Sequence, residues 1–228
     1  MSPWVRIPLP PPLFPTIDTS VGMKPPPEDA WEPWSPDKLA SRLGHDDPSW
    51  YVVGGWALDL WHGHLTREHE DLEFAVLPDQ IGRCRDLLSD LEFFAARDGT
   101  LTHHPAKTAL ATDLWQLWGA DMTAGCWRVD MMIERGTPDF WIYKREPAIR
   151  VPRTAAIRRN STGIAYLAPA IVLLFKAKHR REKDDLDFRT ALPRLDTGER
   201  ADLTGWLEAM HPGHGWIASL REDRTAGV

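Results

Sequence analysis

The stretch that decides the fold reads Gly54-Gly55-Trp56-Ala57-Leu58-Asp59-Leu60 and continues as Thr66-Arg67-Glu68-His69-Glu70-Asp71-Leu72-Glu73-Phe74. A glycine pair permits a tight turn and a close approach of the backbone. If that turn opens a helix, the free N–H groups and the positive end of the helix dipole can hold phosphate oxygens. Residues two apart on a strand share a face, so Asp71 and Glu73 present two neighbouring carboxylates. Such oxygen ligands are those that Mg²⁺ prefers.

The acidic pair alone carries little information. In a chain with 33 acidic residues among 228, an acidic-x-acidic triplet should occur about five times by chance, and Glu182-Lys183-Asp184 also fits it. The specific signal is the joint pattern of glycines, tryptophan, arginine, histidine and carboxylates.

This joint pattern resembles the nucleotidyltransferases of the DNA polymerase β superfamily. Within them it is most similar to the branch of aminoglycoside 2''-adenylyltransferases and lincosamide nucleotidyltransferases. The positions that match the pattern of that branch are Gly54 to Ala57, Asp59, Gly63, Thr66, Arg67, His69 and Asp71. The second acidic position is usually Asp in these enzymes and is Glu73 here. This departure keeps open a non-catalytic nucleotide-binding module.

The resemblance implies an α+β fold, with a polymerase β-like mixed sheet flanked by helices and a C-terminal helical region. It also implies a third carboxylate from a neighbouring strand. We expect a strand over residues 126–133, in which Trp127, Val129 and Met131 face a core. Asp130 lies on its other face, where it either completes the site with Asp71 and Glu73 or pairs with Arg128 at an exposed edge. Glu134 is a weaker candidate for the third carboxylate.

Six residues are candidates for binding the nucleotide: Gly54, Gly55, Arg67, Lys176, Lys178 and Lys183. Arg67 either touches a phosphate, orients Asp71 or forms a structural salt bridge. Lys176 and Lys178 lie late in a predicted helix, where they reach the triphosphate or complement the helix dipole. The segment Lys183 to Asp187 matches a Lys-Asp-x-x-Asp segment of related transferases.

The function implied by the resemblance is the Mg²⁺-dependent transfer of a nucleoside monophosphate from an NTP, ATP by expectation, to a hydroxyl of a small acceptor. Two Mg²⁺ ions held by Asp71, Glu73 and Asp130 would clamp the reacting oxygens, and Asp130 would accept the hydroxyl proton. The acceptor is an aminoglycoside or lincosamide antibiotic, or, in the alternative of an AbiEii-type toxin, tRNA. A net charge of −6 and a pI near 5.8 disfavour a broad nucleic-acid surface.

The chain divides into a proline-rich extension (1–34) that we expect to be disordered, a nucleotidyltransferase core (35–150) and a C-terminal helical region (151–228). Eleven of the 20 prolines lie in residues 1–36, and Met23 is an alternative start. No apolar run reaches the roughly 18 residues of a membrane span. Two cysteines, Cys84 and Cys126, fit a reducing compartment. We therefore expect a cytoplasmic monomer or homodimer without a membrane partner.

Local signals predict the order of the elements. The predicted helices are 35–43, 56–62, 78–91, one that begins near Pro169 and 201–210. The predicted strands are 51–53, 72–76, 113–118, 126–133 and 140–143.

Overall fold

The computed structural model of this protein describes residues 23–45 and 47–222. The prediction of disorder for residues 1–22 lies outside this part of the chain. None of the helices in the described ranges has the length and apolar character that crossing a bilayer requires.

Strands within the described residues are β1 (Trp50–Val52), β2 (Glu73–Val76), β3 (Glu92–Arg97), β4 (Thr100–His103), β5 (Gln116–Asp121), β6 (Cys126–Ile133), β7 (Phe140–Ile142), β8 (Arg150–Pro152), β9 (Ile157–Arg159) and β10 (Ala165–Leu167). The helices are α1 (Pro36–Leu43), α2 (Gly54–His62), α3 (Ile81–Leu87), α4 (Arg153–Ala156), α5 (Pro169–Ala177), α6 (Glu182–Ala191), α7 (Thr197–Met210) and α8 (Trp216–Arg221). Single 3₁₀ turns occupy Pro78–Gln80 and Leu192–Arg194.

Within the described ranges, eight strands form one mixed sheet in the order β4-β3-β5-β6-β2-β1-β10-β9, and β7 pairs with β8 separately. The β2–β6 and β1–β10 pairs are parallel, and the other neighbours are antiparallel. This mixed sheet with its helices confirms the predicted α+β fold class.

The two faces of the central strands differ in chemistry. Phe74, Val129 and Met131 are fully buried in the main core, which also contains Leu58 of α2 and Leu173 of α5. Strand residues alternate between faces, so the neighbours of these core residues, including the two central carboxylates, lie on the other face. The core face therefore anchors the strands and leaves the other face for a site.

Helix α1 begins at a capping residue, and helix α2 begins at a glycine turn. The Ser35 hydroxyl accepts from the Lys38 N–H at 3.2 Å, and Pro36 occupies the first turn. Helix α2 begins at Gly54, whose φ is +63°, and is followed by Gly63, whose φ is +78°. Both angles lie in the left-handed region, which favours glycine. The predicted helix over the glycine turn thus begins two residues earlier than expected.

Two sequence predictions are wrong in the middle of the chain. The predicted helix 78–91 is shorter, since α3 ends at Leu87, and it is followed by the unpredicted β3–β4 hairpin. The alternation predicted for β6 fails at Trp127, because a bulge opposite Gly119 and Ala120 shifts the register. Trp127 consequently packs against Trp118 and Phe94, at ring separations of 5.3 and 5.5 Å.

The segment before α1 also differs from the sequence-based expectation. Trp31 forms a parallel bridge to Trp127, and its ring lies 5.0 Å from Trp118. The Glu32 and Trp34 N–H groups donate to carbonyls of β6 at 3.1 and 3.0 Å. Residues 30–34, which the proline content placed in a disordered extension, therefore lie along the sheet. The sheet also continues beyond residue 150, because β10 pairs with β1.

Candidate active site

The glycine turn and the carboxylates meet at the ends of two neighbouring strands. A Cβ on Gly54 would overlap the Glu73 carboxylate, so the backbone of the turn packs directly against that side chain. The Val53 N–H donates to the Glu73 carbonyl at 3.0 Å and joins the turn to β2. The glycine turn and the acidic strand of the motif are thus in direct contact through Gly54 and Glu73.

The parallel register of β2 and β6 places Glu73 directly beside Asp130. Asp130 is 4% exposed, and its Oδ2 accepts from the Gln116 amide at 2.8 Å. Its Oδ1 is buried and receives no hydrogen bond of regular geometry among the described residues, although the Trp118 side chain lies near enough to lower the pKa of Asp130. Arg128 binds Glu32 and Asp121 instead, so the alternative of an exposed Asp130–Arg128 pair does not hold.

The charges of these carboxylates are crowded. Burial, together with the nearby Asp71 carboxylate, raises the pKa of Glu73 to about 7. Burial and the neighbouring Glu73 raise the pKa of Asp130 well above its usual range. Asp71, Glu73 and Asp130 therefore lie close enough to repel one another, which is the arrangement expected of a cation site.

The three carboxylates are close in charge, but they do not form a complete set of metal ligands. Over residues 23–45 and 47–222, no group of three His, Cys, Asp or Glu side chains is arranged as it stands to hold a metal ion. Glu73 and Asp130 form a pair in register, and Asp71 lies two residues before Glu73 with its side chain half-buried. The described residues thus place two carboxylates side by side, with Asp71 as a neighbouring charge.

A cavity of ≈ 240 Å³ opens beside Gly54 and Glu73. Its cationic lining side chains are Arg135, Lys144, Arg145, Lys176, His179 and Arg181, of which His179 is cationic only when protonated, and its aromatic ones are Tyr51, Trp115, Trp141 and Phe175. Cations and aromatic rings around one cavity suit an anionic ligand that carries a planar group.

The remaining motif residues hold the loop that brings Asp71 to the sheet. Asp59 accepts from the Thr66 N–H at 3.1 Å and contacts His69 Nε2 at 2.5 Å. The Trp56 ring stacks on His69 with centroids 4.4 Å apart, and its Nε1 donates to the Asp71 carbonyl at 3.0 Å. These residues position the carboxylates without lining the cavity.

Arg67, in the same loop before β2, forms a salt bridge. Its Nε and Nη2 donate to both carboxylate oxygens of Asp187 on α6, at 2.8 and 3.0 Å. Lys176 Nζ lies 2.7 Å from Asp187 and 3.5 Å from Asp184. The Lys-Asp-x-x-Asp segment thus ties α5 and α6 to the loop before β2.

The three predicted lysines have different positions. Lys176 lines the cavity but is buried against the two aspartates, whereas Lys178 is exposed just beyond α5. Lys183 forms an ion pair with Glu70 at 2.9 Å, and neither Lys178 nor Lys183 lines the cavity.

Arg67→Gln tests the structural role of the arginine. The change leaves the buried Asp187 with Lys176 alone, so we expect the free energy of unfolding to fall by about 1 to 3 kcal/mol, measured by urea denaturation. The Michaelis constant for the nucleotide should change by less than about twofold. The exposed pair gives a matched control, since Lys183→Gln should cost less than about 1 kcal/mol. A large rise in the Michaelis constant at unchanged stability would instead assign Arg67 to a phosphate.

Glu134, the weaker candidate for the third carboxylate, is neutralised by residues that the sequence analysis did not identify. Glu134 accepts from Tyr51 Oη at 2.5 Å and from both terminal nitrogens of Arg153 at 3.0 and 2.7 Å. This neutralised Glu134 is a structural residue rather than a third metal ligand. Lys144 lies 5.5 Å from the Trp115 ring, and burial, with the nearby Arg145, lowers its pKa. No local motif marks Tyr51, Lys144 and Arg153, because they come together from segments that are distant in sequence.

Comparison with known proteins identifies the region that holds the motif. Residues 37–112 match the model of the aminoglycoside-2''-adenylyltransferase family. A solution structure of the antibiotic-resistance factor ANT(2'')-Ia has a TM-score of 0.51 and 12% identity, covering 75% of this chain and 90% of that one. A crystal structure of ANT(2'')-Ia in complex with adenylyl-2''-tobramycin has a TM-score of 0.49 and 11% identity, covering 77% and 94%. No curated protein matches the chain.

The match of residues 37–112 confirms the predicted resemblance to aminoglycoside 2''-adenylyltransferases, and the solution structure confirms the fold.

Proposed function

We propose, from the match of residues 37–112 to the aminoglycoside-2''-adenylyltransferase family, that the protein transfers a nucleoside monophosphate from ATP to a hydroxyl of an aminoglycoside. The observation that carries the proposal is the contact of the Gly54 turn with Glu73 beside Asp130, at the edge of a cavity with cationic walls. A phosphate-binding turn, crowded carboxylates and cations are what nucleotidyl transfer requires.

The triphosphate is proposed to lie in the cavity. The start of α2 lies at its edge, where Gly54 lines it, and Lys144 and Arg145 supply charge, together with Arg181, which also pairs with Asp184. These cations replace Arg67, Lys178 and Lys183 as the proposed triphosphate ligands, because the latter lie outside the cavity. Trp115, close to Lys144, offers a surface for the base.

The carboxylates fit Mg²⁺ by two observations. Glu73 and Asp130 are two carboxylates paired in register, and burial, followed by the neighbouring carboxylate charges, raises the pKa of each. Asp130 Oδ1 is buried, with no hydrogen bond of regular geometry among the described residues. Glu73 and Asp130 would hold the ion with Asp71 as a further ligand. Bound Mg²⁺ supplies electrostatic stabilisation of the reacting phosphoryl oxygens.

In this reaction the protein positions the two substrates and accepts the proton of the acceptor hydroxyl. The acceptor oxygen attacks the α-phosphorus, a new O–P bond forms, the bond to the β-phosphate bridging oxygen breaks, and pyrophosphate leaves. The hydroxyl proton passes to the Asp130 carboxylate, which lies beside Glu73 in the sheet. Gln116 fixes the orientation of that carboxylate through Oδ2.

Pyrophosphate release tests the proposal. Each of the four NTPs is combined with Mg²⁺ and with an aminoglycoside panel, a lincosamide panel or bulk tRNA. We expect release with ATP and an aminoglycoside, and a loss of about 100-fold or more in kcat for Asp130→Asn. The Asp29→Asn variant is a matched control, because Asp29 is exposed and distant in sequence from the carboxylate strands.

The other outcomes identify the alternatives. Release with tRNA alone would favour the toxin-type transferase. Binding of ATP without turnover on any acceptor would favour a nucleotide-binding module, which the Glu73 departure from the family pattern keeps open.

A further inference from the structure

A small aromatic core lies on the carboxylate face of the sheet, apart from the main core. Its buried members are Phe94, Ala120 and Trp127, and Trp31, Leu101 and Trp118 pack against it. Phe94 and Asp130 both lie opposite Trp118 in the pairing of the strands, so the three side chains share one face. The Trp118 ring meets the rings of Trp31 and Trp127 edge-on, at centroid separations of 5.0 and 5.3 Å. These edge-to-face contacts fix the orientation of the Trp118 ring.

The Trp118 indole lies next to the Asp130 carboxylate. Gln116, two residues before Trp118 on β5, already donates to Asp130 Oδ2 at 2.8 Å. The other oxygen, Oδ1, and the Trp118 Nε1 are both buried, and neither has a hydrogen bond of regular geometry within the described part of the chain. Buried donors and acceptors are rarely left unpaired, and hydrogen bonds of catalytic groups often become well aligned only when substrate binds. The indole N–H and Oδ1 are therefore complementary neighbours.

Both β5 side chains act on the charge of Asp130. Burial and the neighbouring Glu73 raise the pKa of this carboxyl, and the Gln116 and Trp118 side chains lower it. Donors that bind the ionised form of a carboxyl have this effect. An amide and an indole are neutral, so they can orient Asp130 without cancelling its charge. Glu134 differs in this respect, because Arg153 forms a salt bridge with it.

The segment before α1 holds the ring that orients Trp118. This segment lies along β6 beyond the residues that pair with β2. The Trp127 N–H donates to the Ala30 carbonyl at 2.8 Å, and the Trp127 Nε1 donates to the Pro27 carbonyl at 2.8 Å. The position of Trp31, and through it that of the Trp118 ring, therefore depends on a segment that precedes the matched region 37–112.

We propose that Trp118 is a positioning residue for Asp130 and that Trp31 acts through it. The Trp118 indole N–H holds Oδ1 of the carboxylate as the Gln116 amide holds Oδ2, and the rings of Trp31 and Trp127 keep the indole in place. The inference rests on the proposed function, in which Asp130 accepts the proton of the acceptor hydroxyl. It adds to that function a role for the segment before α1, which the aromatic core joins to the site.

A spectroscopic measurement observes the indole N–H without turnover. In the two-dimensional NMR spectrum of ¹⁵N-labelled protein, the Trp118 indole signal is the one that Trp118→Phe removes. We expect Asp130→Asn to move this proton signal upfield, because a neutral amide is a weaker acceptor than a carboxylate. Trp206→Phe is the matched control and should leave the signal in place, since Trp206 packs against the main core from α7. A Trp118 signal that Asp130→Asn does not move would overturn the proposal.

Kinetics separate positioning from general packing. Trp118→Phe keeps an aromatic ring in the small core and removes the N–H donor, and urea denaturation verifies that the variant is folded. With ATP and tobramycin as substrates, we expect kcat to fall about tenfold while both Michaelis constants stay within about twofold of the wild type. In the Asp130→Asn background the same substitution should cause no further loss, because its effect passes through Asp130.

Trp31 gives a second measurement of the same path. We expect Trp31→Ala to lower kcat by about tenfold, Trp31→Phe to restore most of it, and Trp31→Ala to add no loss in the Trp118→Phe background. An equal loss in both backgrounds would contradict a path through Trp118. Equal kcat values for Trp118→Phe and Trp206→Phe, with the wild type active, would overturn the positioning role and leave the proposed function standing. A wild type without turnover on any acceptor would overturn the proposed function and, with it, the catalytic role of Trp118.

Discussion

Glu73→Gln is expected to lower kcat by about 1,000-fold and at the same time to stabilise the fold at pH 8 by about 1 to 2 kcal/mol. The loss of activity follows from removing one of the two adjacent carboxylates at the Gly54 turn. The gain in stability follows from relieving repulsion, because the wild-type protein holds a half-buried carboxylate beside Asp71 and Asp130.

The sign of the stability change depends on pH. The pKa of Glu73 is raised from an ordinary value of 4.5 to about 7 by burial and by Asp71. Between these two values the folded protein binds more protons than the unfolded chain, so the free energy of unfolding falls as the pH rises. Above about pH 7 the ionised Glu73 carboxylate destabilises the folded protein fully, and below about pH 4.5 this destabilisation vanishes. The advantage of Glu73→Gln should therefore be large at pH 8 and small at pH 5.

Urea denaturation at the two pH values measures this difference, and Glu134→Gln is the matched control. Glu134 lines the same cavity but is neutralised by Arg153 and Tyr51. Its replacement should destabilise the protein by about 1 to 3 kcal/mol, the opposite sign. Added Mg²⁺ should raise the melting temperature of the wild type and have less effect on Glu73→Gln. Equal stability of Glu73→Gln and wild type at pH 8 would contradict the charge crowding.

The sequence predicted those parts of the fold that depend on neighbouring residues. The Ser35 cap, the helix over the glycine turn and the 126–133 strand require only local signals, and the structure contains each of them. The β3–β4 hairpin also had a local signal, since Asp98-Gly99 favours a type I′ turn between two strands. The prediction did not use this signal, and it extended the preceding helix to Leu91 because its apolar residues follow a helical spacing.

The parts that were missed depend on contacts between distant residues. Trp31 lies in a proline-rich segment, and its order comes from Trp118 and Trp127 nearly a hundred residues later. Lys176 and Arg67 look like phosphate ligands in the sequence, but Asp187 binds both. A charge pattern shows which groups are available, whereas only the fold shows which of them are already neutralised.

Gly54→Ala is expected to reduce kcat by about 1,000-fold while lowering the free energy of unfolding by only about 1 to 2 kcal/mol. An alanine at φ +63° bears the cost of the left-handed region, and its Cβ would overlap the Glu73 carboxylate. The carboxylate must then rotate away from Asp130. Gly63→Ala is the matched control: its φ is +78°, but a Cβ there meets nothing within 4 Å. It should lose similar stability and keep its activity.

The double variant Gly54→Ala/Glu73→Asp shows whether the overlap causes the loss. Aspartate is one methylene shorter, so its carboxylate clears the new Cβ, and aspartate is also the usual residue of the family at this position. We expect the double variant to recover at least about tenfold in kcat over Gly54→Ala, a coupling that independent sites would not give. Purely additive losses would mean that Gly54 acts through the backbone conformation alone. Recovery would show that the glycine is required because Glu73 occupies the space where a side chain would lie.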